Sequence, residues 1–145
     1  MTAEAILSAV KSTLENDTAL KVYVRKVFLG ALSENMREAF PNITIEPTSN
    51  ETDRVLENGV RENVLEMEIA GAVLVQNKTL AIIGDTTHVG ILDLERDIKT
   101  ALFAKYPDMA KTCLYFTLST GALAELESGN GRICFITAKF WYRES

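Results

Sequence analysis

The chain has 145 residues, 47% of them hydrophobic and 24% charged, with a formal net charge of −5. This length and composition predict one globular domain over residues 1–145 and exclude a disordered chain, while the acidic balance argues against a general nucleic-acid binder. No apolar run reaches the ~18–20 residues of a membrane span, and the first residues lack the basic region of a signal peptide, so we expect synthesis in the cytoplasm and no membrane contact.

The N-terminal third predicts a helix followed by a strand. Thr2 is a suitable N-cap, Asn16–Thr18 ends the helix, and its apolar side is formed by Ile6, Leu7, Val10 and Leu14. Lys21–Leu29 is rich in valine and aromatic residues and predicts a first strand. Ser33–Phe40 is ambiguous, because its spacing is helical but the segment is short.

The middle of the chain predicts two strands separated by a loop. Asn42–Pro47 alternates isoleucine with polar residues and predicts a short strand. Thr48–Gly59 is polar, acidic and without periodicity, which is typical of a long mobile loop. Val60–Val75 predicts the longest strand, in which Gly71 indicates a bend or a bulge. Gln76–Val89 follows as a turn region with a short apolar patch.

An amphipathic helix over Gly90–Tyr106 is the strongest pattern in the chain. Lys105 lies in its last turn, where a cation favours the helix dipole, and Pro107 ends it. The apolar side consists of Ile91, Leu94, Ile98, Ala101 and Leu102. These residues recur at steps of three and four, so the helix should cover one face of a sheet.

The C-terminal third predicts a β-hairpin. Thr112–Leu126 and Arg132–Arg143 are strand patterns, and Ser128–Gly131 between them is a strong turn signal. The last strand is largely apolar on both sides, which indicates that it is central or is covered on both sides. The whole order predicts the α+β class: a mostly antiparallel sheet of four to five strands, with the N-terminal and the amphipathic helix packed on it.

His88, the only histidine, is the strongest candidate for catalytic chemistry. It precedes the amphipathic helix and lies near Asp85 and Asp93 in sequence, so a histidine–carboxylate pair acting as a general base is conceivable. No activated nucleophile accompanies it, and a polar turn residue is the ordinary role. The surrounding segment Gly84–Gly90 lacks the spacing of a phosphate-binding loop. We expect no catalytic residue and no enzymatic activity.

Neither cysteine predicts a metal or redox site. Cys113 and Cys134 are both expected within strands among apolar residues, as two buried free thiols. A disulfide would require that the two strands pair with the cysteines opposed. No further ligands occur at metal-binding spacing, and no cofactor motif is present.

Three glutamates in the longest predicted strand form a distinct pattern. Glu62, Glu66 and Glu68 occur at even spacing, so they project from the same side of the sheet. A solvent-exposed acidic face is the ordinary interpretation. The functional alternative is an acidic surface that lines a shared cavity in an oligomer.

Five segments together resemble the tail terminator, or tail-completion, proteins of tailed bacteriophages, the minor tail protein U-like family. These segments, in chain order, are ILSAVKSTL, FPNITIEP, VLEMEIAGAVLV, GILDLERDIKTAL and ITAKFWYRE. The resemblance covers most of the chain and is one of pattern, since no invariant catalytic motif defines such families.

The resemblance implies a structural virion protein without enzymatic activity, usually a hexameric ring. Such a ring caps the head-proximal end of the tail tube, contacts the major tail tube protein, and joins the tube to the head–tail connector or stopper protein. DNA passes through the central channel without specific binding. On this interpretation Glu62, Glu66 and Glu68 face the channel, where like charge keeps phosphates from adhering. Assembly would take place in the host cytoplasm.

Two alternatives stay open. The first is another head–tail joining or neck adaptor protein of similar fold, for which the ambiguous segment Ser33–Phe40 and the long loop before Val60 leave room. The second is a small α+β enzyme or ligand-binding domain built around His88.

Overall fold

The computed structural model describes residues 1–30, 39–75, 77–125 and 131–144. Its elements in chain order are α1 (Ala3–Asn16), α2 (Thr18–Tyr23), β1 (Lys26–Leu29), β2 (Asn42–Val55), β3 (Arg61–Leu74), α3 (Lys78–Ile83), α4 (Ile91–Phe103), β4 (Tyr115–Glu125) and β5 (Gly131–Glu144). The strands form one sheet in the order β1-β2-β3-β5-β4, parallel between β1 and β2 and antiparallel elsewhere. This is the α+β architecture that the pattern predicts.

The helices pack on one face of the sheet, here called the helix face, and the other is called the open face. α4 buries the predicted apolar residues Ile91, Leu94, Ile98, Ala101 and Leu102 against it. α1 begins after Thr2, whose hydroxyl accepts from the Ala5 N–H at 3.1 Å, as the sequence indicates. In the described part of the chain, no helix is both long and apolar enough to cross a membrane.

α4 is shorter than the prediction, ending at Phe103 where the pattern extends to Tyr106. Beyond Phe103 the backbone tightens into turns, with the Lys105 N–H donating to the Leu102 carbonyl at 3.0 Å. The physical reason is Pro107, whose ring disfavours helical backbone at the preceding residue. The turn continues through three residues with positive φ, Met109, Ala110 and Lys111.

The predicted strand Lys21–Leu29 is wrong in its first half, because α2 extends to Tyr23 and β1 begins at Lys26. The Asp17 carboxylate caps α2 by accepting from the N–H groups of Ala19 and Leu20, each at 3.1 Å. The Tyr23 hydroxyl donates to Asp97 on α4 at 2.6 Å. This capping and this contact with α4 outweigh the strand preference of valine and tyrosine.

The predicted loop Thr48–Gly59 is also wrong, since β2 continues to Val55 and pairs with β3 along its whole length. Register shifts interrupt the ladder between Pro47 and Ser49 and between Thr52 and Arg54. Most residues of this half of β2 are exposed on both sides. Such a strand has no apolar alternation, so hydrophobic patterning cannot detect it.

Gly71 marks neither a bend nor a bulge, contrary to the prediction. The β3–β5 ladder is regular, with Gly71 opposite Cys134. A methyl group at Gly71 would lie 2.9 Å from Leu94 Cδ2 and 3.0 Å from both Cys134 Sγ and Ile98 Cδ1. Glycine therefore permits α4 to pack closely on the centre of the sheet.

The remaining connections are partly described. Gln76–Val89, expected as a turn region, contains the short helix α3, which Asn77 caps by accepting from the N–H groups of Thr79 and Leu80. Most of the ambiguous segment Ser33–Phe40 lies outside the described residues, as does the predicted turn at 128–130. The β4–β5 ladder nevertheless pairs the strands on either side of that turn, as the hairpin prediction requires.

Candidate functional site

The three glutamates all lie on the open face of the sheet. The β3–β5 ladder runs without a register shift from Arg61 to Leu74, so side chains two residues apart point to the same side. Glu62, Glu66 and Glu68 therefore alternate with the buried Leu65 and Met67 of the helix face. Their common orientation agrees with the spacing in the sequence.

Glu62 differs from the exposed acidic residue that the pattern predicts. It is only 7% exposed, and its Oε2 lies 3.3 Å from Arg54 Nη2 and 3.4 Å from Arg143 Nε. Arg54 is on β2 and Arg143 on β5, so one carboxylate connects three strands. Arg54 lies in the segment predicted as a loop, and for this reason the sequence gives no sign of the pairing.

Glu66 and Glu68 are half-buried and lie in the centre of the open face. In the ladder Glu66 is opposite Lys139 on β5, and Glu68 is opposite Glu46 on β2. With the two arginines beside Glu62, the open face therefore carries both signs of charge. A uniformly acidic face, as the sequence indicates, is not what the structure has.

Aromatic side chains form a second feature of the open face. The rings of Tyr115 on β4 and Trp141 on β5 stack with centroids 4.6 Å apart and planes 10° from parallel. Val64 is the ladder partner of Trp141 on the other side. Tyr115 is 40% exposed, so this stack gives the charged face an accessible apolar area.

His88 and Asp85 do come together, in the loop before α4. Asp85 Oδ1 lies 3.1 Å from His88 Nδ1 and accepts from the N–H groups of Thr87 and His88 at 2.9 and 2.8 Å. These backbone hydrogen bonds are the main reason that the pKa of Asp85 falls to about 2. Both side chains are exposed, and Asp93 pairs with Arg96 at 3.3 Å. The Asp85 carboxylate thus shapes the turn, as expected of a polar pre-helix residue.

Cys113 and Cys134 are buried free thiols, as predicted. Burial raises the pKa of Cys113 to about 12 and that of Cys134 to about 11, which keeps both in the unreactive protonated form at neutral pH. Cys134 is on β5, but Cys113 precedes β4, so its predicted position within a strand is wrong. The ladder partners of Cys134 are Gly71 and Leu123, and the two cysteines are not opposed.

A cleft of about 490 Å³ between α1 and α4 is a feature that the sequence does not reveal. Its walls are small or polar: Ala9, Ser12, Thr13, Asn16, Asp17, Thr18, Ala101, Ala104, Lys105 and Ala110. The Asp17 carboxylate already serves as the cap of α2. Ser12 and Asn16 likewise bond to each other within α1, at 3.2 Å.

The chemistry available on the described surface is that of carboxylates, guanidinium groups, amines and aromatic rings. Over residues 1–30, 39–75, 77–125 and 131–144, no group of three or more histidine, cysteine, aspartate or glutamate residues is placed to hold a metal ion. The open face combines charges of both signs with a stacked aromatic pair, a composition suited to contacts with other macromolecules. Comparison of the sequence with models of known protein families and with curated proteins finds no match in either case.

Proposed function

We propose that the protein is a tail terminator of a tailed bacteriophage: a ring, of about six copies, at the head-proximal end of the tail. It stops growth of the tail tube and joins the tube to the head connector, without an enzymatic step. The observation that carries the proposal is the agreement between the resembling segments and their secondary structure. ILSAVKSTL lies in a helix, NITIEP begins β2, VLEMEIAGAVL lies in β3, ILDLERDIKTAL begins α4, and ITAKFWYRE ends β5.

The open face supplies a surface for the channel in this proposal. If the subunits turn this face inward, Glu66 and Glu68 present negative charge to passing DNA, and like charge opposes adhesion of the phosphates. Glu62 contributes less, because two arginines surround its carboxylate. We therefore narrow the channel-facing set to Glu66 and Glu68 and assign Glu62 to holding β2, β3 and β5 together.

The ring itself is tested with purified protein by native mass spectrometry and electron microscopy. The expected result is a closed ring with a central hole and a mass of about six chains, or a multiple of six where a further contact joins rings. Because a closed ring needs two different complementary patches on each subunit, it does not form through one self-complementary contact. A protein that stays at one or two copies at every concentration contradicts the proposal.

The channel is tested by reversing charge on the open face. The double variant Glu66→Lys/Glu68→Lys should retain short double-stranded DNA in a gel-shift assay at low salt, whereas the natural protein should not. The matched control, Glu4→Lys/Glu15→Lys, makes the same change of net charge at two exposed residues of α1, on the other side of the sheet. Equal retention by both double variants would show that net charge alone matters and that Glu66 and Glu68 do not line a channel.

A different head–tail joining protein would assemble in a similar way, so a separate experiment distinguishes the two. If the protein stops growth of the tube, tails produced without it should exceed the normal length. If it only joins the tube to the head, tails produced without it should have normal length and fail to attach to heads. Electron microscopy of virus particles that lack this protein therefore separates the two functions.

A further inference from the structure

The last strand of the sheet, β4, has an edge to which nothing is paired in the described ranges. The sheet order ends at β4, and its ladder partners all lie on β5. From Thr117 to Glu125 the side chains are exposed or half-exposed on both faces, in contrast to the buried β5 beside it. An edge of this kind offers free backbone donors and acceptors to another strand.

The composition of this edge does not protect it from pairing. None of the residues from Tyr115 to Ala124 is charged and none is proline, although charged residues make up 24% of the chain. One register shift, between Thr120 and Leu123, interrupts the ladder. The regular stretch Tyr115–Thr120 is therefore the part that can accept a further strand.

The opposite edge of the sheet, formed by β1 and the far half of β2, is better protected against pairing with another strand. β1 is only four residues long and begins with Lys26. The far half of β2 contains Pro47, two register shifts and several charges, among them Glu51 and Asp53. Proteins prevent edge pairing with short strands, lysine, proline, charges and bulges. β1 and the far half of β2 together have all of these features, whereas Tyr115–Ala124 of β4 has one, the register shift.

Exposed apolar side chains flank the β4 edge on both faces. Phe103 and Tyr106 pack on Phe116 of β4 from the helix side, with ring centroids 6.3 and 5.5 Å away. Tyr115 lies on the open face, and Leu123 follows the register shift. All four exposed side chains are between 40% and 57% accessible. Apolar side chains gathered beside an unpaired edge favour an interaction surface there.

From these features we infer that β4 pairs with β4 of a second copy of this chain, antiparallel and about a two-fold axis near Thr117. In such pairing only Thr117, on the axis, lies opposite its own symmetry mate, and every other residue lies opposite one equally far beyond the axis. Because Tyr115–Thr120 contains no charged residue, two copies can pair here without placing like charges opposite each other. The register places Phe116 opposite Leu118 on the helix side and Tyr115 opposite Ser119 on the open face.

The inference does not depend on the proposed function. The contact is isologous and joins two copies, whereas a ring closes through a heterologous contact elsewhere on the surface. A variant that loses the β4 contact can therefore still form the ring, and a variant that loses the ring contact can still pair through β4.

A disulfide at the axis tests the pairing directly. Opposed residues of antiparallel strands have Cα atoms about 4.5–5.5 Å apart, within disulfide range. Thr117→Cys should therefore oxidise to a covalent pair of chains on a non-reducing denaturing gel. Thr52→Cys, an equally exposed threonine on β2, is the matched control and should stay single. The natural cysteines are buried and do not interfere. Equal cross-linking of the two variants, or none at Thr117→Cys, overturns the inference.

Sedimentation equilibrium provides the second test. Thr117→Lys places two ammonium groups at the axis and should weaken dimerisation at least about tenfold, as measured by the dissociation constant. Thr52→Lys makes the same substitution outside the contact and should leave the constant unchanged. A Thr117→Lys variant that is folded by circular dichroism and dimerises as well as Thr52→Lys contradicts the pairing. If Thr117→Lys does not fold, the cross-linking result decides.

Discussion

Gly71 is the position where one added methyl group would meet α4 and β5 together, and Gly71→Ala tests the packing of the central helix on the sheet. The new Cβ would lie 2.9–3.0 Å from Leu94 Cδ2, Cys134 Sγ and Ile98 Cδ1. Carbon atoms prefer a separation of about 3.5–4.0 Å, so each contact is too short by about half an ångström. All three partner residues are fully or almost fully buried and have little room to move.

The expected loss of stability follows from two opposing effects. Overpacking a well-packed core costs about 1–3 kcal/mol. Replacing glycine by alanine in a strand returns about 0.5–1 kcal/mol, because the unfolded chain loses freedom. The two ranges leave a net loss of about 0–2.5 kcal/mol. Because the methyl group meets three buried side chains at once, we expect Gly71→Ala to lower the free energy of unfolding by about 1–2 kcal/mol, a fall in Tm of about 3–8 °C for a chain of this size.

A double-mutant cycle measured by urea unfolding identifies the cause. Ile98→Val removes the Cδ1 atom that the new methyl would meet, and by itself costs about 1 kcal/mol. The double variant with Gly71→Ala should lose at least about 0.5 kcal/mol less than the sum of the single losses. Ile6→Val, on α1, is the control and should combine additively. Additive losses for Ile98→Val as well, or an unchanged stability in Gly71→Ala, would refute the packing argument.

Three further predictions concern single groups. By NMR, the His88 amide should report an Asp85 titration near pH 2, well below the ordinary 3.8, because the native loop stabilises the carboxylate. The contribution to stability is complete above the ordinary pKa and is lost as the pH falls from there through the native pKa. A midpoint near 3.8 would contradict the loop geometry. Cys113 and Cys134 should react with a thiol reagent at pH 8 only after denaturation, and rapid native reaction of either would show that its burial is incomplete. Tyr142→Phe should cost about 1 kcal/mol in urea unfolding, because it removes the hydroxyl that donates to Asn50 Oδ1 on β2 at 2.8 Å. An unchanged stability would show that this hydrogen bond contributes nothing.

The sequence predicts best those elements in which apolar residues recur on one side and polar residues on the other. α1, α4 and β3 all have this character, and their periodicity identifies them. Prediction from periodicity fails for the half of β2 after Pro47, which pairs with β3 but buries little on either side. It also fails for α2, a helix of six residues that depends on its cap and on contact with α4. Such segments are held by hydrogen bonds and tertiary contacts, and these produce no hydrophobic pattern in the sequence.

For the open face as well, the sequence predicts one property and misses others. Even spacing is enough to place Glu62, Glu66 and Glu68 on one side of the sheet. The accessibility and charge of that side depend on neighbours far away in sequence, such as Arg143, 81 residues from Glu62. Strand order has the same dependence: the sequence indicates a hairpin of β4 and β5 and a central β5, but not that β3 is the other neighbour of β5 or that β4 lies at the edge.

Native mass spectrometry of the Thr117→Lys variant tests the proposed ring most directly, because pairing through β4 is blocked and only the ring contact is left. We expect a closed ring of about six chains, with a central hole when the same sample is viewed by electron microscopy. A folded variant that stays a single chain at every concentration, with no ring in the micrographs, would contradict the proposed ring.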